Sequence, residues 1–371
     1  MMSGSPFFSI LLPTKNRSHL VGFAISSVLN QDYHDFEIIV VDNDDSDVTE
    51  KAISNLVSSD SRIRYFKTGG LNMSENWEFA LSKAEGKYIT VLEDKQAYYP
   101  YALSSMYKEI SQKSIEVVVW GWDFYDHNHA RLRYSDRNNH EVLYTPDKIL
   151  ETYVHNPAAA WKVLPRMINS VVSIGLIRRV KAQNGGKRLF SEMAPDLCAG
   201  FQLLAICDAV CVMNKSLGAL GYMHLSNATQ VMKKKAVNYY GKERINEIAV
   251  DHVPIKENRL IHNTVYNDYL RIRQRMGGRL IDYKMSNKVY AKLCARDLAM
   301  NLVNVGFHKS AAASILDYAK ENGVSSTILL ASFLREYGRR LVMKGSIRYL
   351  VHKKSLRAEN ILEAVNMVGA K

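Results

Sequence analysis

The chain has 371 residues, of which 47% are apolar and 23% charged, and its formal net charge is +12. This length allows one large or two medium domains, and the composition is that of an ordinary globular protein. No stretch approaches the roughly 18 apolar residues of a membrane span, and the N-terminus lacks the basic start of a signal peptide. The four scattered cysteines have no paired spacing, which argues against a zinc cluster or a disulfide framework. We therefore expect a cytoplasmic protein.

The first third of the chain alternates short apolar runs with segments of helical period. The runs are FFSILL, FEIIVVD, RIRYFK, KYITVL and EVVVW, and four helical segments separate them. Strands spaced by helices imply crossover connections and a mostly parallel sheet. Ser18 is the expected N-cap of the first helix, and Asn72 with Glu75 forms a capping box on the third. The predicted fold class is a doubly wound α/β sheet.

The remainder divides into a second α/β part and a helical extension. Residues 121–165 are rich in Tyr, His, Asn and Arg, which is typical of polar loops on a ligand-facing side. After about residue 240 the pattern is helix after helix, with glycines between them. We therefore expect an α/β domain over residues 1–235, in two parts (7–120 and 121–235), followed by a helical extension over 236–371.

The positive charge is concentrated near the C-terminus. Residues 333–357 hold eight Lys and Arg against the single acid Glu336. A basic amphipathic segment of this kind predicts peripheral contact with an anionic membrane or another polyanion. The alternative is a solvated helix face. Nucleic acid is not an expected partner, because no basic helix is interleaved with stacking aromatics.

Polar loops follow each of the first four strands, where ligands bind in an open parallel sheet. Asp42 can accept the N3 proton of a uracil ring, and the turn at Pro13 and Thr14 can offer backbone groups to the base. Arg17 or Lys67 can balance phosphate charge. No glycine-rich phosphate cradle is present, which disfavours a dinucleotide enzyme or a P-loop NTPase. These loops predict a nucleoside diphosphate site, and they span residues 13–17, 42–45, 67–70 and 93–96.

The stretch FSILLPTKNRSHLVGFAISSVLNQDYHDFEIIVVDNDDSD, followed by LNMSENWEFALSKAEGKYITVLED, resembles the nucleotide-binding half of a bacterial family 2, GT-A-fold glycosyltransferase. The resemblance covers roughly residues 7–110 and extends weakly to about 230. It implies a GT-A domain whose second part, 121–235, serves the acceptor. It also implies that the nucleoside site is lined by Pro13, Thr14, Asn16, Arg17 and Asp42.

In that family the loop matching residues 93–96 is a DxD motif that holds a divalent cation and the diphosphate. Here the first acid is present and the second is lost, whether the motif is phased on Glu93 and Lys95 or on Asp94 and Gln96. Asp94 and Glu93 are the candidate metal ligands, together with His224, which lies where relatives contact the diphosphate or metal. We expect Mn²⁺ or Mg²⁺ to be held weakly or not at all, with Lys95 supplying positive charge instead. The alternative is a Lys95 that points to solvent.

The second part of the domain supplies a candidate base and a candidate sugar platform. Pro195 fits the first helical position and places Asp196 in the opening turn, where backbone N–H groups keep a carboxylate ionised. The resemblance implies that Asp196 is the catalytic base, and the alternative is that it only complements the helix dipole. Trp120, Trp122 and Tyr125 are candidates for an aromatic platform under a sugar ring.

The resemblance implies sugar transfer from a nucleotide diphosphate donor, expected to be UDP-linked, to a hydroxyl of a glycan or lipid-linked acceptor in polysaccharide biosynthesis. The expected mechanism is an inverting single displacement, and the expected location is the cytoplasm at the inner face of the membrane. Two alternatives stay open. One is a sugar-phosphate nucleotidyltransferase, and the other is a non-catalytic relative that binds a nucleotide sugar and acts as a scaffold.

Overall fold

The computed structural model describes residues 4–134, 140–191, 194–222, 225, 250–304, 306–344 and 354–369. Strands in this part of the chain form one mixed sheet, and the predicted strand runs all lie in it. The strands are β1 (Phe8–Thr14), β2 (Phe36–Asp42), β3 (Ile63–Lys67), β4 (Tyr88–Val91), β5 (Gln96–Tyr98), β6 (Val117–Asp126), β7 (Arg131–Tyr134), β8 (Glu141–Tyr144), β9 (Ser170–Ser173), β10 (Val210–Leu220) and β11 (Lys354–Arg357).

The first four strands build the parallel part of the sheet. Their order is β3, β2, β1, β4, so the direction of winding reverses beside β1. Strand β9 joins β4 in the antiparallel sense, β6 joins β9, and β10 runs parallel to β6. Because β1 and β2 are buried along their whole length, both faces of this part are covered.

The helices cover both faces of the sheet and continue beyond it. Apolar residues of α1 and α4 pack against one face, while those of α3, α8 and the extension pack against the other. None of the helices in the described part of the chain is both long and apolar enough to cross a membrane. The helices are α1 (Ser18–Leu29), α2 (Val48–Ser59), α3 (Met73–Ser82), α4 (Ala102–Lys113), α5 (Pro146–His155), α6 (Pro157–Ala160), α7 (Ile174–Gln183), α8 (Pro195–Ile206), α9 (Ile261–Met276), α10 (Asn287–Asn304), α11 (Lys309–Glu321), α12 (Ser326–Lys344) and α13 (Ile361–Gly369).

The predicted α/β domain and helical extension are both present. The capping box of α3 is confirmed, because the Asn72 side chain accepts from the Glu75 N–H at 2.9 Å and Glu75 accepts from the Asn72 N–H at 3.0 Å. The predicted N-cap of α1 is wrong: Ser18 is already helical, and Arg17 occupies the cap without a side-chain cap bond. The expected boundary near residue 235 lies outside the described residues.

The C-terminal residues return to the sheet. Strand β11 pairs antiparallel with β7, and α13 packs beside it through Ile361, Ala364 and Val365. Tyr125 fastens this return, since its hydroxyl donates to the Ala358 carbonyl at 3.0 Å. The predicted basic segment 333–357 is therefore not one continuous helix. Its first part belongs to α12, its last residues form β11, and residues 345–353 lie outside the described residues.

Glu336 joins α10 to α12 within the extension. Its carboxylate accepts from Arg339 at 2.9 Å and from Arg340 at 2.7 Å, and Arg296 of α10 approaches it at 3.6 Å. Burial alone would raise the pKa of Glu336, but hydrogen bonds from Arg339 and Arg340 and their charges outweigh burial and lower it to about 2. Part of the basic segment is thus neutralised inside the fold.

We expect Glu336→Gln to lower the free energy of unfolding at pH 7. The difference between the variant and the wild type should disappear in acid. A carboxyl whose folded pKa lies below its unfolded pKa contributes stability above about pH 4.3, and that contribution is lost as the pH falls towards 2. Urea unfolding of both proteins between pH 7 and pH 3 measures the difference. The exposed Glu321→Gln on α11 is the control. A wild-type advantage that stays constant over this range would contradict the assignment.

Candidate active site

The four loops that follow the parallel strands meet at one rim of the sheet. The Asn43 N–H donates to the Thr14 carbonyl at 3.0 Å, which joins the loops after β1 and β2. The Asn43 side chain then holds Leu71, donating to its carbonyl at 2.6 Å and accepting from its N–H at 3.0 Å. The loop after β3 is thereby attached to the same rim. The predicted convergence of these loops is present.

Asp94 attaches the fourth loop to the first. One oxygen of its carboxylate accepts from the Thr14 hydroxyl at 2.9 Å, and the other forms an ion pair with Arg17 at 2.8 Å. The Asp94 side chain is only 2% exposed. Arg17 also donates to the Leu225 carbonyl. Asp94 and Arg17 are therefore engaged with each other, and neither presents a bare charge to a ligand.

Glu93 and Lys95 form a second ion pair beside the first. The Lys95 ammonium lies 2.6 Å from the Glu93 carboxylate. Gln96 supports the turn, because its Oε1 accepts from the Glu93 N–H at 2.9 Å. In the described part of the chain, its buried Nε2 has no hydrogen-bond partner. The alternative in which Lys95 points to solvent is wrong, since the residue is only 6% exposed. Glu93 and Lys95 thus occupy the two outer positions of the motif, with Asp94 directed inward.

The backbone around Lys95 is fixed by β10. The Gly221 N–H donates to the Lys95 carbonyl at 3.0 Å, and Gly218 crosses β5 at close range. A Cβ at Gly218 would lie 2.3 Å from the Ala97 carbonyl oxygen, so a larger residue would displace β5. The position of Lys95 therefore depends on glycines that are more than 100 residues away in the chain.

Asp196 lies in the first turn of α8, directly after Pro195, as the sequence predicts. Burial raises its pKa, the charges of Arg166 and Lys95 act to lower it, and the charge of Glu93 raises it further. The net direction is upward. A half-buried carboxylate that feels charges on the loop after β4 lies at the same rim as the Glu93–Lys95 pair.

Arg166 is the residue of this site that the sequence analysis missed. Burial lowers its pKa, and the charges of Asp196 and Glu93 act to raise it. Its guanidinium lies over the Trp161 ring at 4.9 Å, and its buried Nε has no hydrogen-bond partner among the residues that the structure describes. The available signal was a basic residue directly after Pro165, between two apolar runs. Arg166 adds a second cation beside the candidate base.

The side chains of Asp42 and Lys67, two predicted nucleotide-binding residues, are bonded to other groups of the protein. Asp42 is fully buried, accepting from the Tyr65 hydroxyl at 2.7 Å and from the Asp44 N–H at 2.9 Å, so the structure does not support its contact with uracil. Burial raises the pKa of Asp42. The Lys67 ammonium donates to the Ser46 carbonyl at 2.9 Å on the exposed side of the rim.

The turn after β1 remains open to a ligand. Pro13 is buried in β1, while Asn16 is exposed and adopts a positive φ of 55°. The Asn16 N–H donates to the Asp44 carboxylate, which fixes the turn against the loop after β2. The exposed side chain of Asn16 is therefore held at the rim.

The predicted aromatic platform is not supported. Trp120 and Tyr125 are each 1% exposed, and Trp120 belongs to the core beneath α1 and α4. Trp122 stacks on Tyr98 with ring centroids 5.7 Å apart and donates to the Ile168 carbonyl at 3.1 Å. Burial of these rings between sheet and helices leaves no free face for a sugar on Trp120 or Tyr125.

The described residues do not offer a good set of ligands for a divalent cation. Mn²⁺ and Mg²⁺ require several hard oxygen ligands, but Asp94 is paired with Arg17 and Glu93 with Lys95. No group of three or more His, Cys, Asp or Glu side chains in the described part of the chain is arranged to hold a metal. His224, the third candidate ligand, lies outside the described residues.

Comparisons with known proteins find relatives that match part of this chain. A GalNAc(5)-diNAcBac-PP-undecaprenol beta-1,3-glucosyltransferase of Campylobacter jejuni is 36% identical over 109 residues, which cover 29% of this chain and 35% of that protein. A UDP-Glc:alpha-D-GlcNAc-diphosphoundecaprenol beta-1,3-glucosyltransferase of Escherichia coli is 29% identical over 123 residues, covering 32% of this chain and 47% of that protein. The chain thus spans less than half of the length of either relative.

A crystal structure of S. aureus TarS aligns with a TM-score of 0.47 and 14% identity, over 85% of this chain and 92% of that one. Residues 9–172 match the family model described as Glycosyl transferase family 2, and this range carries β1–β4 and the loop from Glu93 to Gln96. This part of the chain, less than half of its length, is therefore similar to glycosyl transferase family 2.

Proposed function

We propose that the protein transfers a sugar from a UDP-linked donor to a hydroxyl of a lipid-linked glycan, with inversion at the anomeric carbon. The observation that carries this proposal is the position of Asp196 at the rim of a family 2 domain, beside Lys95 and Arg166. The name of the E. coli relative includes a UDP-Glc donor and a diphosphoundecaprenol-linked acceptor, which supports both substrate classes.

In the proposed reaction Asp196 removes the proton from the acceptor hydroxyl. The hydroxyl oxygen attacks C1 of the donor sugar, the bond from C1 to the diphosphate oxygen breaks, and its electron pair leaves with UDP. Lys95 and Arg166 stabilise the negative charge that develops on this oxygen. Arg17 serves as a positioning residue, because its charge is paired with that of Asp94.

Release of UDP tests the proposal directly. A panel of UDP-sugars is incubated with a short-chain polyprenyl diphosphate-linked sugar, and free UDP is measured with and without the acceptor. Acceptor-dependent UDP release is expected for at least one donor. UDP binding without turnover would instead favour a non-catalytic relative, and pyrophosphate release from UTP and a sugar phosphate would favour a nucleotidyltransferase.

We expect Asp196→Asn to reduce transfer at least about a hundredfold while leaving UDP binding within about twofold. In the wild type, kcat/KM should fall as the pH drops through the raised pKa of Asp196, because only the ionised carboxylate accepts a proton. An acid with a raised folded pKa destabilises the fold when ionised, so the variant should melt no lower than the wild type at pH 7. Retained turnover would remove Asp196 from this role.

We propose further that Lys95 and Arg166 replace much of the charge of a divalent cation. A metal at this rim would compete with Lys95 for Glu93 and with Arg17 for Asp94. With the motif phased on Glu93, Lys95 stands at the position of the second acid. The proposal is weak or absent dependence on Mn²⁺ and Mg²⁺.

Chelation tests whether the reaction depends on a divalent cation. We expect EDTA to lower wild-type activity by less than about twofold and Lys95→Met to lower kcat about a hundredfold with or without metal. Lys95→Asp restores a second acid beside Glu93, so its activity should become dependent on added Mn²⁺. Wild-type activity that EDTA abolishes and Mn²⁺ restores would contradict the proposal.

We also propose that α12 contacts an anionic bilayer at the inner face of the membrane. Leu330, Leu334 and Leu341 are 57%, 54% and 47% exposed and recur at helical spacing along one side of α12. The exposed Arg335 and Arg339 lie on the same helix. An exposed apolar stripe on a helix that also carries cations fits an anionic lipid surface, where the proposed lipid-linked acceptor resides.

Sedimentation with phosphatidylglycerol vesicles tests this contact. We expect Leu334→Ser/Leu341→Ser to weaken binding about tenfold, because burying each leucine contributes about 1.5–3 kcal/mol at most. The matched control is Leu316→Ser on α11, which removes a leucine that is 52% exposed. Equal binding by the double variant and the wild type, or none by either, would exclude α12 as the contact.

A further inference from the structure

Two adjoining cavities lie where the α/β domain meets the extension, and together we call them the junction cavity. Their volumes are about 430 Å³ and 280 Å³. The end of α5 and α6 form one wall, and α10 and α12 form the other. Both cavities are lined by Ala158, Arg296, Glu336 and Arg339, so they adjoin along these side chains.

The junction cavity is strongly positive. Among the described residues that line it, five cations face two carboxylates, which leaves a net charge of +3 with histidines neutral. One of the carboxylates, Asp297, is already bonded to the His262 ring and backbone. The five cations are Lys292, Arg296, Arg335, Arg339 and Arg340.

Buried contacts hold part of this charge in place. Glu336 orients Arg340 at 2.7 Å, and the same guanidinium reaches the Met300 sulfur at 3.1 Å. Arg296 lies 3.6 Å from the other Glu336 oxygen. A single carboxylate neutralises one unit of charge, so the arginines are positioned by Glu336 without being cancelled by it.

The junction cavity adjoins the catalytic rim through Trp161. This ring lines the cavity, and its face lies 4.9 Å below the Arg166 guanidinium, whose charge acts on Asp196. Among the described residues that line the junction cavity, none belongs to the loop after β4 that carries Glu93 and Lys95. An anion in the cavity is therefore separate from a diphosphate held at that loop.

We propose that the junction cavity binds the phosphate groups of the acceptor, while the acceptor sugar reaches past Trp161 to Asp196. The inference rests on the proposed transfer to a lipid-linked acceptor. Guanidinium groups suit phosphate because their planar N–H pairs match two of its oxygens, and the net positive charge offsets a diphosphate. The cavity then recognises the diphosphate of the acceptor and not that of the donor.

The test measures pyrophosphate binding to the full chain by calorimetry. Enough UDP is present to saturate the donor site. Lys292→Glu/Arg335→Glu reverses two exposed charges of the cavity, neither of which has a described ion-pair partner. We expect wild-type protein to bind pyrophosphate and the variant to bind at least about tenfold more weakly. UDP binding should be unchanged, and the thermal midpoint shows whether the variant is folded.

The control is Lys309→Glu/Lys320→Glu on α11, which makes the same change in net charge at exposed positions outside the cavity. It should bind pyrophosphate like the wild type. Equal pyrophosphate binding by the cavity variant and the wild type would overturn the inference, as would equal weakening in the control. Loss of phosphatidylglycerol vesicle binding with pyrophosphate binding intact would also overturn it, since the ligand would then be a lipid headgroup. Failure of wild-type protein to bind UDP counts against the proposed function. Pyrophosphate binding by the wild type and the two variants can still be compared in that case.

Discussion

A single buried carboxylate holds the catalytic rim together. Asp94 belongs to the loop after β4, yet both of its oxygens are bonded to residues of the turn after β1, Thr14 and Arg17. An ionised carboxylate out of water is costly unless it is paired and hydrogen-bonded, so alternative arrangements of these loops are strongly disfavoured. Because Asn16 of the same turn is bonded to Asp44, the constraint extends to the loop after β2.

The inward orientation of the Asp94 side chain affects the roles available to Glu93 and Lys95. Glu93 and Lys95 stand on either side of Asp94 in the chain and form an ion pair with each other, and Lys95 is itself only 6% exposed. In the proposed reaction, Lys95 and Arg166 supply positive charge at the site, and Glu93 offsets part of it. Under the proposal of weak metal dependence, these cations are already held in place by β10 and by Trp161, so no metal would have to be recruited before each turnover.

The sequence predicted those features that depend on local pattern and the order of strands. Alternating strand and helix periods place four loops at one rim, and the Pro195–Asp196 pair marks the start of α8. Period-two patterns do not reveal whether a second layer covers a strand, and for this reason the core residue Trp120 resembled a surface platform. The partner of Asp94, the position of Arg166 and the pairing of β11 arise from contacts between distant segments, which no local pattern contains.

The return of β11 to the sheet has a mechanical consequence. The chain leaves the sheet after β10 and rejoins it at β11, so the helices of residues 261–344 stand in the position of an insertion between two strands of one sheet. The extension also packs on the domain directly, since Tyr269 of α9 contacts Phe201 of α8 with ring centroids 4.9 Å apart. If α12 contacts the bilayer as proposed, the extension acts as a spacer that sets how far an acceptor sugar must project from the membrane to reach Asp196.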